Sequence, residues 1–205
     1  MTAIQPHKES SSLNWLSLKQ GDTTAFESLY RLYANGLYNY GSKFSADKDL
    51  IKECIQEVFI GIWTRRNYLG DPQNVKNYLF KAFRLSLFKK GNFLQKQVSY
   101  EETEHYPFQA SLTIEEEMIA AENTVALKER LEMTLNKLTA RQREVIFLKF
   151  YEAQSYEEIS EIMNISVKGA YKVMGRAIDA LRGLLSKEDF FLILLLLSVK
   201  TDPFS

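Results

Sequence analysis

The sequence predicts an all-α protein of two small helical domains joined by an acidic, flexible linker. Apolar residues recur at three- and four-residue intervals over most of the 205 residues, and the chain is 45% apolar, which is enough to build compact cores. Capping boxes mark helix starts in the second half of the chain. Between the two helical blocks, segment 98–112 has no helical period, contains Pro107 and collects glutamates, as is typical of a linker.

These patterns divide the chain into five parts. We expect a flexible N-terminus at 1–21, a helical domain at 22–97, the acidic linker at 98–112, a second helical domain at 113–187 and an apolar tail at 188–205. The tail is too short to span a bilayer, which needs about 20 apolar residues. It is expected to pack on its own domain, with docking on a partner protein as the alternative and a membrane role last.

Charge is balanced in total but not along the chain. The 26 basic and 26 acidic residues cancel, so any basic surface must be local. Basic residues predominate over 22–97 and again over 134–187, and the segment between them is acidic. Two basic blocks around an acidic connector suggest two nucleic-acid contacts, although each block also fits an ordinary solvated face.

Few residues are suited to redox, metal or catalytic chemistry. Cys54 is the single cysteine, which indicates a reducing compartment, and with only His7 and His105 beside it we expect no metal site. The start of the sequence does not resemble a secretory leader, so a cytoplasmic location is expected. No phosphate-binding glycine loop or nucleophile with its base is recognisable, so we expect no cofactor and no enzymatic activity.

Three helices are predicted in the first domain. Asp22 caps a helix with an aromatic stripe that fits a core. The next helix buries Cys54 and exposes Glu53, Gln56 and Glu57, a face suited to solvent or to a basic partner. The third helix, after the turn at Gly70 and Pro72, mixes basic and aromatic residues, which suits unpaired DNA or the surface of any helical bundle. Its inward positions are expected to be Val75, Leu79, Ala82, Phe83 and Leu87, and its surface positions Lys76, Lys81, Arg84, Lys89 and Lys90.

Capped helices also organise the second domain. Boxes at Thr113 with Glu116 and at Thr139 with Gln142 start two helices. A third box, Ser155 with Glu158, starts a short helix, and Asn164 suits the left-handed turn that follows. Ser166 then caps a longer helix. This helix-turn-helix would present Lys168, Tyr171, Lys172 and Arg176 to a DNA groove, or it is an ordinary helical hairpin.

Three segments together resemble a bacterial RNA polymerase sigma factor of the extracytoplasmic-function (ECF) group in the sigma-70 family. IQEVFIGIW at 55–63 is similar to the family's polymerase-clamp helix, and VKNYLFKAFR at 75–84 is similar to its minus-ten recognition helix. LTARQREVIFLKFYEAQSYEEISEIMNIS at 138–166 resembles the start of its minus-thirty-five domain. The resemblance implies a region 2 helical bundle, a region 4 helix-turn-helix and promoter-specific transcription initiation.

The resemblance also implies partners and site residues. Core RNA polymerase, promoter DNA and, as is common in the family, an anti-sigma protein are the expected partners. The resemblance assigns polymerase binding to Glu53, Gln56, Glu57 and Trp63, and minus-ten binding to Lys76, Asn77, Tyr78, Lys81 and Arg84. Minus-thirty-five binding is expected of Ser166, Lys168, Tyr171, Lys172 and Arg176.

Two departures limit what can be transferred from the family. Leu85 and Lys89 stand where many members have asparagine and aspartate, and the recognition helix reads GAYKVMGRA at 169–177 where many members read roughly TVKSRLHRA. The DNA sequence recognised is therefore expected to differ. A stand-alone helix-turn-helix regulator that needs no polymerase and a helical protein-interaction adaptor are the alternative functions.

Overall fold

The computed structural model describes residues 6–91, 106–109 and 133–186. Within these ranges the chain is helical and contains no strand, so the predicted all-α class is confirmed. The chain divides into two units, Met1–Gln97 and Val98–Ser205. The tail at 188–205, most of the 98–112 linker and most of the helix predicted to begin at Thr113 lie outside the described residues. Among the described helices, none combines the length and the apolar composition that a membrane span requires.

The described part of the first unit, residues 6–91, has four α-helices. They are α1 (Pro6–Lys19), α2 (Thr23–Gly41), α3 (Lys48–Thr64) and α4 (Val75–Lys90), with a 3₁₀ turn at Arg66–Tyr68 before α4. Asp22 caps α2 as predicted, because its carboxylate accepts hydrogen bonds from the backbone N–H groups of Thr24 and Ala25. Asp47 caps α3 in the same way, and Asn74 caps α4.

A flexible N-terminus was expected at 1–21, but Pro6–Lys19 form helix α1. Trp15 and Leu18 are buried, and the Trp15 indole N–H donates a 3.0 Å hydrogen bond to the carbonyl oxygen of Gly70. The Trp15 ring also meets Tyr78 of α4 edge to face, with 5.1 Å between centroids. These contacts join residues far apart in sequence, so a serine-rich segment with weak local helical signals is held by tertiary packing.

Aromatic side chains fill the core of the first unit. Tyr40 packs against Phe44 and Phe80, with centroids 5.1 and 5.4 Å apart, and all three side chains are buried. Gly41 lets α2 approach its neighbours closely, because a Cβ there would lie 2.8 Å from both Ile51 and Phe83. The interpretation of the aromatic stripe as a core therefore agrees with the structure at Tyr40 and Phe44 but not at Tyr30, which is 39% exposed.

Over 133–186 the second unit has three α-helices and one π-helical turn. They are α5 (Ala140–Ile146), the π turn (Phe147–Tyr151), α6 (Tyr156–Met163) and α7 (Val167–Leu184). Both predicted capping boxes within the described residues form: Thr139 with Gln142 begins α5, and Ser155 with Glu158 begins α6. Asn164 adopts the left-handed conformation at φ 52°. The Ser166 hydroxyl accepts the Gly169 N–H at 3.0 Å and caps α7.

Part of the predicted linker packs on the second unit. Tyr106 and Phe108 are buried, and the Tyr106 hydroxyl donates a hydrogen bond to the carboxylate of buried Glu144. Arg143 donates from Nε to the Phe108 carbonyl oxygen at 2.6 Å, and its burial lowers the pKa of the guanidinium. Residues 106–109 therefore depart from the flexible linker expected at 98–112, because two aromatic side chains anchor them.

Gln154 gives a test of packing in this unit. Its side chain is 1% exposed, and among the described residues neither the oxygen nor the nitrogen of its amide has a hydrogen-bond partner. Replacing Gln154 with methionine, which has a similar shape, should raise the free energy of unfolding by about 1 kcal/mol because no buried polar group is left unsatisfied. Urea unfolding of the full chain, followed by circular dichroism, measures the change. Gln154→Glu should destabilise instead, and a Gln154→Met variant less stable than the unaltered chain would contradict the prediction.

Candidate protein and nucleic-acid interfaces

An exposed acidic face runs along α3. Glu53 and Glu57 have side chains 64% and 54% exposed, and both carboxylates face Lys90 of α4, whose Nζ lies 3.4 and 3.5 Å away. Glu57 also accepts a 2.8 Å hydrogen bond from the Ser86 hydroxyl, and this bond lowers the pKa of the carboxyl, with a further contribution from Lys90. The two carboxylates are oriented by α4 yet remain open to a basic partner.

Gln56 lies on the border of an apolar groove between α2 and α3. The groove has a volume of about 420 Å³ and is lined by Phe26, Glu27, Tyr30, Arg31, Gln56, Phe59 and Ile60. Ile60 is 63% exposed and Tyr30 is 39% exposed. The prediction placed Tyr30 in the buried stripe and left Ile60 out, although Ile60, four positions after Gln56 on a polar face, was a usable signal. The groove adds apolar surface beside the acidic face.

Trp63 is held by intramolecular contacts at the end of α3. Its ring packs edge to face on Phe26, with 5.3 Å between centroids, and the Arg66 guanidinium lies 4.6 Å from the ring centroid. Arg66 also donates to the Trp63 carbonyl oxygen at 2.9 Å. The half-buried indole therefore supports the unit, and only part of it is available to a partner.

The residues predicted to bind the minus-ten element differ in exposure. Lys76, Tyr78 and Lys81 are half-buried on α4, with Tyr78 packed against Trp15 and Lys76 Nζ 5.5 Å from the Phe80 ring centroid. These three side chains form a partly accessible basic and aromatic surface. Exposed Lys89 extends its positive charge at the end of α4, whereas the charge of Lys90 is paired with Glu53 and Glu57.

Asn77 and Arg84 lie inside the unit. The surface position predicted for Arg84 is wrong: this residue is 9% exposed and its guanidinium carbon lies 4.1 Å from the centroid of the Phe88 ring. Asn77 is 7% exposed. Both share one helical stripe with buried Phe80 and Leu87, since the spacing of three and seven residues returns to the same face. Contact of Arg84 with DNA would require its guanidinium to leave Phe88.

The second unit presents all of its predicted DNA-facing residues on one helix. Ser166, Lys168, Tyr171, Lys172 and Arg176 are exposed on or next to α7. On the opposite face Ala170, Met174, Ala177 and Leu181 are buried against the unit. The short α6, the left-handed Asn164 and the longer α7 have the arrangement by which a helix-turn-helix places its second helix in the major groove.

Two glycines of α7 form a matched pair for a stability test. A Cβ at Gly175 would meet no atom within 4 Å, whereas one at Gly169 would lie 3.1 Å from the capping Ser166 Oγ. Gly175→Ala should therefore raise the free energy of unfolding by about 0.5–1 kcal/mol. Gly169→Ala should raise the free energy of unfolding by a smaller amount, because the added Cβ crowds the Ser166 hydroxyl. Thermal unfolding of both variants checks this order. Equal gains, or a loss in Gly175→Ala, would contradict the packing described.

Comparisons with known proteins cover both units. The sequence family described as "Sigma-70, region 4" matches residues 128–181. The ECF RNA polymerase sigma factor SigM of Bacillus subtilis (strain 168) is 26% identical over 170 residues, covering 78% of this chain and 95% of SigM. The RNA polymerase sigma factor SigZ of the same organism is 24% identical over 159 residues, covering 78% of this chain and 86% of SigZ.

Two solved structures share the fold. CnrH, solved in complex with the cytosolic domain of CnrY, matches with a TM-score of 0.58 at 18% identity, covering 85% of this chain and 96% of CnrH. The sigma factor RpoE from Bartonella quintana, solved with the anti-sigma factor NepR, matches with a TM-score of 0.53 at 21% identity, covering 78% of this chain and 95% of RpoE. The helical architecture described above is therefore an established one.

Proposed function

We propose that this chain, a sigma factor of the extracytoplasmic-function group in the sigma-70 family, binds core RNA polymerase and starts transcription at a limited set of promoters. The observation that carries the proposal is the capped helix-turn-helix, whose exposed basic residues Lys168, Lys172 and Arg176 lie within the segment matched by sigma-70 region 4. The two relatives named as sigma factors, each matching 78% of the chain, extend the likeness beyond that segment.

The first unit is proposed to contact polymerase and the minus-ten element through different helices. Glu53, Gln56 and Glu57 on α3 would dock on a basic surface of polymerase, and Ile60 beside them would add apolar contact. On α4, the partly exposed Lys76, Tyr78 and Lys81 would hold unpaired DNA. Lysines neutralise phosphates and an aromatic ring stacks on an unstacked base, which contributes on the order of 1–3 kcal/mol.

The second unit is proposed to anchor the complex upstream. Helix α7 would enter the major groove of the minus-thirty-five element with Lys168, Lys172 and Arg176 toward the DNA. The domain limits proposed for these roles are 22–97 and 113–187. Because the proposed duplex opening draws on binding energy, the protein would act as a regulator and not as an enzyme.

The proposed function also implies a cellular location and a regulatory partner. Because core polymerase is the partner, we place the protein in the cytoplasm. The two solved relatives are bound to CnrY and to the anti-sigma factor NepR, which supports an anti-sigma partner for this chain as well. Co-purification from cells that express a tagged chain tests for such a partner, and recovery of core polymerase subunits alone would argue against it.

Promoter selection by the reconstituted complex tests the function. The full chain is mixed with purified core polymerase and a library of genomic fragments, and transcript 5′ ends are sequenced. We expect starts that share two sequence elements and that vanish without the chain. A stand-alone regulator would instead bind specific fragments equally well without polymerase, and an adaptor would bind no specific DNA.

A further inference from the structure

Two tyrosine rings from different helices of the helix-turn-helix stack on each other. Tyr156 is the first residue of α6 and Tyr171 lies near the start of α7, and their ring centroids are 3.8 Å apart with 28° between the planes. Tyr171 is 54% exposed and Tyr156 is half-buried. Burial raises the pKa of the Tyr156 phenol, with a smaller effect of Tyr171 in the same direction. The stack therefore joins the start of α6 to the exposed face of α7.

A third element supports this pair from the π-helical turn. Lys149 Nζ lies 5.0 Å from the centroid of the Tyr156 ring and donates a 3.3 Å hydrogen bond to the Gln154 carbonyl oxygen. The cation thus contacts the ring while it is tied to the backbone that leads into α6. Because Tyr156 is held in this way, one face of the Tyr171 ring already packs on a fixed surface. The Tyr171 side chain therefore loses little conformational entropy when a ligand covers its other face.

We propose that Tyr171 determines part of the promoter sequence by apolar contact with the C5-methyl group of a thymine, and that Tyr156 is the positioning residue that fixes its ring. The inference rests on the proposed function, in which α7 enters the major groove. Residues near the start of a recognition helix contact base edges, where thymine alone presents a methyl group. Tyr171 lies at such a position and presents an aromatic surface to one side of Lys168 and Lys172.

Removal of single methyl groups from the promoter tests the proposal. A promoter recovered by transcript sequencing is made as a labelled duplex, and each thymine of its upstream element is replaced in turn by deoxyuridine. Binding by the complex of the full chain with core polymerase is measured by fluorescence anisotropy. One position should bind about fourfold more weakly as deoxyuridine, the factor expected for one buried methyl group.

Four variants separate contact, positioning and general affinity. Tyr171→Ala should bind the thymine and deoxyuridine duplexes equally. Tyr156→Leu, which removes the stacked ring but keeps an apolar side chain, should reduce the methyl preference, and Tyr156→Phe should restore it. Lys168→Ala should weaken binding to both duplexes and keep their ratio, because a lysine contact with phosphate does not involve the methyl group.

Two results would overturn the inference while the proposed function stands. They are an upstream element with no methyl-sensitive thymine and a full methyl preference in Tyr171→Ala. A full preference in Tyr156→Leu with an unchanged circular dichroism spectrum would reject the positioning role of Tyr156 and leave the thymine contact of Tyr171. Absence of any chain-dependent transcript is a different outcome, because it would reject the proposed function and with it the premise of this inference.

Discussion

Replacing Glu57 with lysine is expected to weaken association of the chain with core RNA polymerase at least tenfold, which corresponds to about 1.4 kcal/mol. Glu57 is exposed in the middle of the proposed docking face, next to Glu53 and Gln56. A lysine there replaces attraction to a basic partner with repulsion, and like charges across an interface are costly. Binding is measured by titrating labelled core polymerase with the full chain.

The intramolecular contacts of Glu57 determine which controls the Glu57→Lys experiment needs. Because its carboxylate also meets Ser86 and Lys90, the circular dichroism spectrum of the variant must be shown to be unchanged. Glu57→Gln, which removes the charge without reversing it, should have an intermediate effect. Glu161→Lys makes the same charge change at an exposed position of α6 and should leave association with core polymerase unaffected. Normal association of Glu57→Lys would show that the acidic face of α3 is only solvated.

The double variant Lys172→Ala with Arg176→Ala is expected to lower promoter affinity by about ten- to a hundredfold and to leave polymerase association unchanged. Both side chains are exposed on α7, opposite its buried stripe. Loss of two cationic contacts with DNA should also make the slope of log affinity against log salt concentration about two units less steep. Anisotropy titrations of a promoter duplex at several salt concentrations measure both quantities.

Lys137→Ala is a control for the loss of a positive charge elsewhere in the same unit, since Lys137 is exposed but lies before α5. It should change promoter affinity much less than the double variant does. Equal loss of polymerase and promoter binding in the double variant would contradict the assignment of Lys172 and Arg176 to DNA contact and would indicate damage to the unit as a whole.

Local signals in the second unit predicted where α5, α6 and α7 begin, but not the π-helical turn that follows α5. The pair Ser155 and Glu158 forms its capping box, and Asn164 takes the left-handed turn that separates α6 from α7. Such features depend on residues within four positions of one another, so sequence spacing reveals them. The exposed residues of α7 followed from the same periodicity, because its apolar positions form a single stripe.

Features that depend on tertiary packing could not be predicted in this way. Helix α4 has apolar residues on more than one face, so its periodicity did not reveal that Arg84 is covered and lies on Phe88. Trp15 of α1 is held by Gly70 and Tyr78, which only the fold brings near. The stack of Tyr156 on Tyr171 likewise requires the packing of α6 against α7.

Run-off transcription with purified core polymerase tests the central claim most directly. A genomic fragment selected by the complex is transcribed with the unaltered chain, with Glu57→Lys and with the Lys172→Ala, Arg176→Ala double variant. We predict a discrete transcript that depends on the chain and is strongly reduced by either variant. Absence of a chain-dependent transcript on every genomic fragment would contradict the assignment of this protein as a sigma factor that starts transcription.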